Sequence, residues 1–493
     1  MTDGLDVIRK AAARAGGCLY LGGGATGPLW APAEQAVLVL GPPRSGKTSG
    51  LVVPTVLSAP GAVVSTSTKP DVLKITARAR RRDGPCLLYD PSGTVETPAG
   101  VERVRWSPVS GCRSWDDALL VARGLVGSTR PSGGRNDGDH WSERAQALLA
   151  PVLHAAALEG AEFGTVLSWI DRRQAGTALG ILDREGAGIA GDLLAGIAAT
   201  EDRELSGIWS TASGVLSAYR SEAALASTVA PDFDARAFCD SSATLYICAT
   251  GRHQGLVAPL VVGLLTDIRA AAYQRAAEGR TGRVPVVLAL DEVANIAPVP
   301  DLPSMVSEGG SQGVSTLACL QDLSQARGRW GTAAEGFLSL FGTRVVLPGI
   351  GDVRTLEALS TLAGEEEVTT RSLSQPVVTG GGVGRAVMDR VLRNGGRRGQ
   401  DPSITTSTVL RRRLPVDVVG RGHSGMALAV NEKNAMGWVH LTPWFSHEPW
   451  RRAVVGTERE LTGTTGPEHG QERPGPAPLV LEKKSPEGMD LGI

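Results

Sequence analysis

The run AVLVL from Ala36 to Leu40 leads without a break into GPPRSGKT, and no other feature constrains the fold of this chain as strongly. A short, unbroken apolar run suits a strand buried on both faces, the usual state of a strand in a parallel sheet. Gly41, Gly46, Lys47 and Thr48 then fill the pattern GxxxxGK[ST]. Its glycines let backbone N–H groups wrap phosphates, its Lys neutralises their charge, and its Thr hydroxyl reaches a magnesium ion. The expected nucleotide-binding set is Gly41, Pro42, Pro43, Arg44, Ser45, Gly46, Lys47, Thr48 and Ser49. Lys is rare among the 50 basic residues, so its presence at this position is informative.

A phosphate loop of this kind needs a carboxylate on a neighbouring strand to hold magnesium, and hydrolysis adds a second acid for the attacking water. The segment VPVVLALDE ends in Asp291 and Glu292 and supplies both. A DE pair ending an apolar strand is by itself a common terminator; beside the loop it reads as the metal acid, Asp291, and the catalytic acid, Glu292. Thr48 and Asp291 are therefore the expected magnesium residues. The strand VSTLACLQ places Gln321 at its tip, as a candidate sensor of the γ-phosphate. The bland alternative is a Gln that starts a helix. Arg344, opening TRVVLPG, either touches phosphate or serves as an ordinary salt-bridge partner.

Further strand candidates are AVVST from Ala62, CLLYD from Cys86 and ATLYICAT from Ala243. Helical stretches between most of them argue for an α/β parallel sheet with crossover helices. Between about residues 113 and 235 the text becomes Ala- and Leu-rich with helical spacing, as an inserted all-α domain would. The expected organisation is an N-terminal segment (1–29), a first part of the nucleotide domain (30–112), the helical insertion (113–235), a second part (236–365), a basic extension (366–456) and a disordered tail (457–493). The tail is a Pro, Gly and Glu mixture with little to bury. Gly-rich stretches at 126–139 and 377–403 read as flexible.

Charge excludes a uniformly basic nucleic-acid surface, because 50 basic residues face 51 acidic ones. The total conceals an asymmetry: residues 113–235 sum to roughly −7, and residues 366–456 to roughly +6. Candidate DNA contacts are the Arg clusters at Arg78–Arg82 and Arg411–Arg413, with Arg393, Arg397 and Arg398; the alternative for each is a solvated charged face. The six Cys are scattered singly with no CxxC, so neither a zinc knuckle nor a disulfide framework is indicated. His140 and the other His residues are isolated and suggest no metal. No apolar run reaches the ~18 to 20 residues of a membrane span, and a reducing, cytoplasmic setting is expected.

These stretches, in this order, resemble the coupling-protein family of type IV secretion and conjugation, DNA-pumping ATPases related to the septal DNA translocases. The resemblance rests on GPPRSGKTSGLVVPTVL, VVSTSTKPDVL, LALDEVANIAPVPDLPSMVSEGGSQGVSTLACLQDLSQ and TRVVLPGIGDVRTLEALSTLAG, and covers roughly residues 30–365. It implies a RecA-like P-loop NTPase fold with an inserted all-α domain. It also implies ATP and Mg2+ as cofactors, a hexameric ring, DNA as substrate and a relaxase or other secreted protein received by the helical domain. Carried over by residue, Lys47 and Thr48 bind nucleotide and magnesium, Asp291 is the magnesium carboxylate, Glu292 the catalytic carboxylate and Gln321 the sensor.

Two departures from the family pattern stand out. The turn before the sensor strand reads EGGSQG from Glu308 to Gly313, where the family often has a basic residue proposed to act across the subunit interface. The pair of N-terminal transmembrane helices usual in the family is not seen in this sequence, which implies recruitment by a separate subunit or a soluble motor. The leading expectation is an ATP-driven DNA translocase; the alternative is a nucleotide-binding adaptor that holds a protein partner without moving DNA. A small-molecule kinase is disfavoured, because no lid-like Arg segment follows the loop and Glu292 suits water activation.

Overall fold

The computed structural model describes residues 4–14, 17–129, 136–249, 254–280, 284–374, 403–448 and 450–455. Its strands are β1 (Tyr20–Gly24), β2 (Gly27–Trp30), β3 (Val37–Leu40), β4 (Val63–Ser67), β5 (Cys86–Tyr89), β6 (Glu102–Arg103), β7 (Thr244–Cys248), β8 (Val286–Leu290), β9 (Val314–Leu320), β10 (Thr343–Val346), β11 (Glu365–Ser374), β12 (Ser403–Arg412), β13 (Met426–Val430) and β14 (Met436–His440). Twelve of them make one sheet in the order β2-β1-β14-β13-β10-β3-β9-β8-β4-β7-β5-β6, and β11 pairs with β12 apart from it.

From β10 across to β6 every neighbouring pair is parallel. This is the RecA-like α/β arrangement expected of the apolar runs, which are continuous because both faces of these strands are covered. Alternate residues serve opposite cores: Leu38 and Leu40 point into one, Val37 and Val39 into the other. On the far side of β10 the sheet turns antiparallel through β13, β14, β1 and β2. The two ends of the described chain thus close the same edge.

Between β6 and β7 the chain is helical, with Trp115–Thr129, Asn136–Glu159, Phe163–Asp171, Ala175–Arg184, Gly188–Ala198 and Asp202–Val215 as its longer helices. Their apolar faces run into the sheet core without a break: Leu125, Leu149, Leu260, Leu264 and Leu290 belong to one buried cluster. Trp106 is fully buried there, and its indole N–H donates to Asp267 at 2.9 Å. An indole this deep needs such an acceptor, since an unmet buried donor costs about 1–3 kcal/mol. Among the described residues, no helix is long and apolar enough to cross a membrane.

Of the Arg positions singled out in the sequence, Arg80 has structural work and two others stand opposite acids. Arg80 is fully buried and donates to Thr244 Oγ1 at 2.8 Å, to Gly61 O at 2.8 Å and to Ala59 O, with Asp83 at 3.2 Å as counter-ion. It cannot face DNA. On the β11–β12 ribbon, Arg411 and Arg412 stand opposite Glu366 and Glu365, a cross-strand pairing of unlike charges. Arg393, Arg397, Arg398 and the tail from 456 onward lie outside the described residues.

Candidate nucleotide and metal site

β3 sits between β10 and β9, whereas the next strand in the chain, β4, lies beyond β8. A crossover at such a switch leaves a crevice at the carboxyl ends of the strands, and the loop after β3 opens into it. Gly41 N–H donates to Leu320 O at 3.1 Å, which ties the start of the loop to the tip of β9. Arg44 and Gly46 take positive φ values of 64° and 97° as the backbone curls round. The helix that follows opens with one wide π-type turn, Thr48–Val52, then continues as Val53–Ser58. Leu441, just past β14, packs under it, where a Cβ on Gly50 would come within 2.8 Å of the Leu441 side chain.

Lys47 is buried, and its ammonium donates to the carbonyls of Gly41 and Pro42, the latter at 2.9 Å. Thr48 Oγ1 donates to Asp291 Oδ2 at 2.7 Å, across the width of β9. Thr66 Oγ1 at the end of β4 holds the Asp291 carbonyl at 3.2 Å. Burial pushes the Asp291 carboxyl above the usual carboxylate range, while the Thr48 hydroxyl and the Lys47 charge pull it down. Glu292 follows in the left-handed region, φ 52° and ψ 48°, a conformation costing on the order of 1 kcal/mol in a non-glycine residue. Asn295 Nδ2 lies 3.3 Å from its Oε2.

The residues present fit a magnesium nucleotide. Ser45 Oγ is buried inside the loop with no hydrogen-bond partner among the described residues, an orphan that a phosphate oxygen would satisfy. Thr48 and Asp291 offer two oxygen donors side by side, the usual protein share for Mg2+ when phosphates and waters complete the set. Among the described residues, no cluster of three or more His, Cys, Asp or Glu forms a separate metal cage.

Gln321 follows Leu320, which pairs with Leu40 in register, so it stands directly beside the loop. Its backbone N–H donates to Gln325 Oε1 at 2.9 Å. Arg344 lies elsewhere: it pairs in register with Leu38 on the far side of the strand from the loop, is buried, and donates to Leu338 O, Asn431 O and Asn434 Oδ1. It braces the short helix Phe337–Leu340 against the loop between β13 and β14 and does not approach the phosphate end. In the turn before β9, a Cβ on Gly310 would come within 2.0 Å of Glu34 O, so no side chain fits there. Sequence reasoning assigned no role to Asn295 or Gln325; amides carry no periodic signal, and the two meet only through the fold.

A twelve-stranded, mainly parallel sheet with a phosphate loop at its switch point and an acidic pair two strands away defines a P-loop NTPase of the RecA-like class. Residues 3–383 match the family described as type IV secretory system conjugative DNA transfer, and the chain belongs to that family. It is 23% identical over 370 residues to VirD4 of Rhizobium rhizogenes, covering 71% of this chain and 53% of that protein. With the conjugal transfer protein TraG of Escherichia coli it shares 24% identity over 410 residues, covering 76% and 62%. The chain spans about half the length of the VirD4 relatives it matches. Among solved structures it is similar to the bacterial conjugative coupling protein TrwB in its unbound form, with a TM-score of 0.63, 18% identity and coverage of 89% and 91%. TrwB in complex with ADP and Mg2+ gives a TM-score of 0.61, 19% identity and coverage of 83% and 85%.

Proposed function

We propose that this chain is an ATP-hydrolysing, DNA-translocating coupling protein of conjugative transfer. The observation that carries this reading is the Thr48–Asp291 hydrogen bond, with Glu292 next in the chain and Lys47 next to Thr48. Family membership and the TrwB complexes with ADPNP and with ADP and Mg2+ support it.

In this reading Lys47 exchanges the Gly41 and Pro42 carbonyls for phosphate oxygens, and the loop from Gly41 to Ser49 wraps the phosphates with backbone N–H groups. Thr48 and Asp291 hold the magnesium ion, which when bound supplies positive charge against the phosphate oxygens. Glu292 accepts the proton of the attacking water, and Gln321, at the tip of β9, senses the γ-phosphate. The chain acts as a homo-hexameric ring in which each site is completed by its neighbour, so that hydrolysis drives movement of loops against DNA in the pore. Contact with DNA is through Arg and phosphate, without sequence preference. The acidic helical layer receives a relaxase or other secreted protein, since like charge repels naked DNA. The motor works in the cytoplasm at the inner face of the membrane.

The test is the steady-state ATPase rate with and without DNA across a salt series, with Lys47→Ala as the blank. DNA stimulation that fades with salt and is lost in Lys47→Ala is expected. Turnover that ignores DNA supports the adaptor instead, and turnover retained by Lys47→Ala removes the site.

A further inference from the structure

Between the catalytic acid and the sensor strand run two side-chain amides. Asn295 Nδ2 lies 3.3 Å from Glu292 Oε2, Gln325 Nε2 lies 3.5 Å from Asn295 Oδ1, and the Gln321 backbone N–H donates to Gln325 Oε1 at 2.9 Å. Each end dictates the orientation of the amides. A carboxylate only accepts, so Asn295 must turn its NH2 toward Glu292 and its carbonyl toward Gln325. A backbone N–H only donates, so Gln325 must turn its carbonyl toward Gln321 and its NH2 toward Asn295. The two requirements agree, and both amide dipoles point the same way along the line, the arrangement in which successive hydrogen bonds strengthen one another.

The anchors of this line are independent of it. Asn295 belongs to the short helix Val293–Ile296, whose first turn closes on the Glu292 carbonyl through N–H bonds from Asn295 and Ile296 at 2.9 and 3.2 Å. Gln325 lies in the first turn of the helix Leu323–Trp330, which Asp322 caps by accepting from Ser324 N and Gln325 N at 2.9 and 3.2 Å. Leu323 N–H is held by Thr355 Oγ1 at 3.0 Å. One end of the line is therefore fixed to β8 and the other to β9.

We propose that Asn295 and Gln325 are positioning residues that hold the Glu292 carboxylate in register with the Gln321 strand tip, so that a shift of that tip repositions the acid. The proposal rests on the nucleotide-hydrolysis reading above. The long Asn295 contacts belong to a line that tightens when the tip moves inward, as catalytic hydrogen bonds do on forming the reactive complex.

The test is ATPase kinetics of the full chain carrying Asn295→Ala, Gln325→Leu or Gln325→Glu. Gln325→Glu keeps shape and helix propensity and still accepts from Gln321, but has no proton for Asn295. Each variant is expected to lose about tenfold or more in kcat with KM for ATP unchanged. In a Glu292→Gln background, Asn295→Ala is expected to cost nothing further in single-turnover hydrolysis, because the group it positions is gone. Wild-type kcat in Asn295→Ala and Gln325→Glu, or an equal loss with and without Glu292, overturns the proposal; the second result would mark a merely structural role. Lys47→Ala separates the readings. If it abolishes turnover while the amide variants stay normal, the relay alone falls; if it retains turnover, the nucleotide site falls and the relay with it.

Discussion

Thr48 and Asp291 are 243 residues apart in the chain and 2.7 Å apart in the fold, joined by a hydroxyl that donates to a buried carboxylate. The strand carrying Asp291 is not the neighbour of the strand that leads to Thr48; β9 runs between them. The helix after the loop reaches over β9 to make the contact, so Thr48, Asp291 and the strand that leads to Gln321 are set by one piece of geometry.

Removing the hydroxyl while keeping the volume isolates its part in metal binding. Thr48→Val is expected to weaken ATP binding about tenfold or more in Mg2+ and to leave the affinity in EDTA unchanged. Calorimetry under the two conditions measures the difference. An equal loss in both would mean that the hydroxyl contacts the nucleotide directly.

Glu292→Gln is expected to bind ATP normally and to hydrolyse it at least about a hundredfold more slowly, since a general base contributes on that scale. Filter binding alongside phosphate release separates the two steps. An unchanged rate takes Glu292 out of the chemistry.

Arg344 is expected to matter for stability and not for turnover. Burial draws its guanidinium below the usual Arg range, and its donors go to Leu338 O in the short helix Phe337–Leu340 and to Asn431 and Asn434 in the loop between β13 and β14. Arg344→Ala strands those carbonyls, and a loss of about 2–4 kcal/mol is expected in urea unfolding. The ATPase rate per folded molecule should hold at the wild-type value; a fall in that rate at full folding would return Arg344 to the site.

The Asp352 carboxyl, although partial burial opposes it, is held below the usual range by the Thr355 hydroxyl and by Arg327, whose guanidinium lies 2.8 Å away. A depressed folded value means that this stabilisation is complete above the unfolded Asp value, near about 3.9, and drains away as pH falls through the folded one. Asp352→Asn is therefore expected to cost about 1 kcal/mol at pH 7 and progressively less below about pH 4. Thermal melts of both proteins at pH 7 and pH 3 read this directly, and a gap that widens in acid would contradict it.

The seven strands from β3 to β10 other than β6 are legible in sequence because burial on both faces makes them largely apolar, broken only by Ser and Thr in β4, β7, β9 and β10 and by Arg344 in β10. β1 reads YLGGG and β14 reads MGWVH, neither of which carries that pattern, and β11 and β12 alternate among Thr, Ser and charge. Their places come from pairing across the sheet edge, which no local window contains. The same division holds at the site. Lys47 and Thr48 begin the helix after the loop, Asp291 and Glu292 follow β8, and each pair sits in a contiguous motif. Asn295 and Gln325 acquire meaning only once β8 and β9 are neighbours.

Leu441 packs beneath the turn that carries Thr48, against Gly46 and Gly50. A ribosome reaches Leu441 only on the order of tens of seconds after it has finished the phosphate loop. Until then the loop has no floor, and β3 itself gains its sheet neighbours β9 and β10 only once residues 314–346 have been made. A nascent chain of this protein would thus be unable to hold nucleotide firmly until nearly all of the sheet is made, which ties nucleotide capture to completion of the fold.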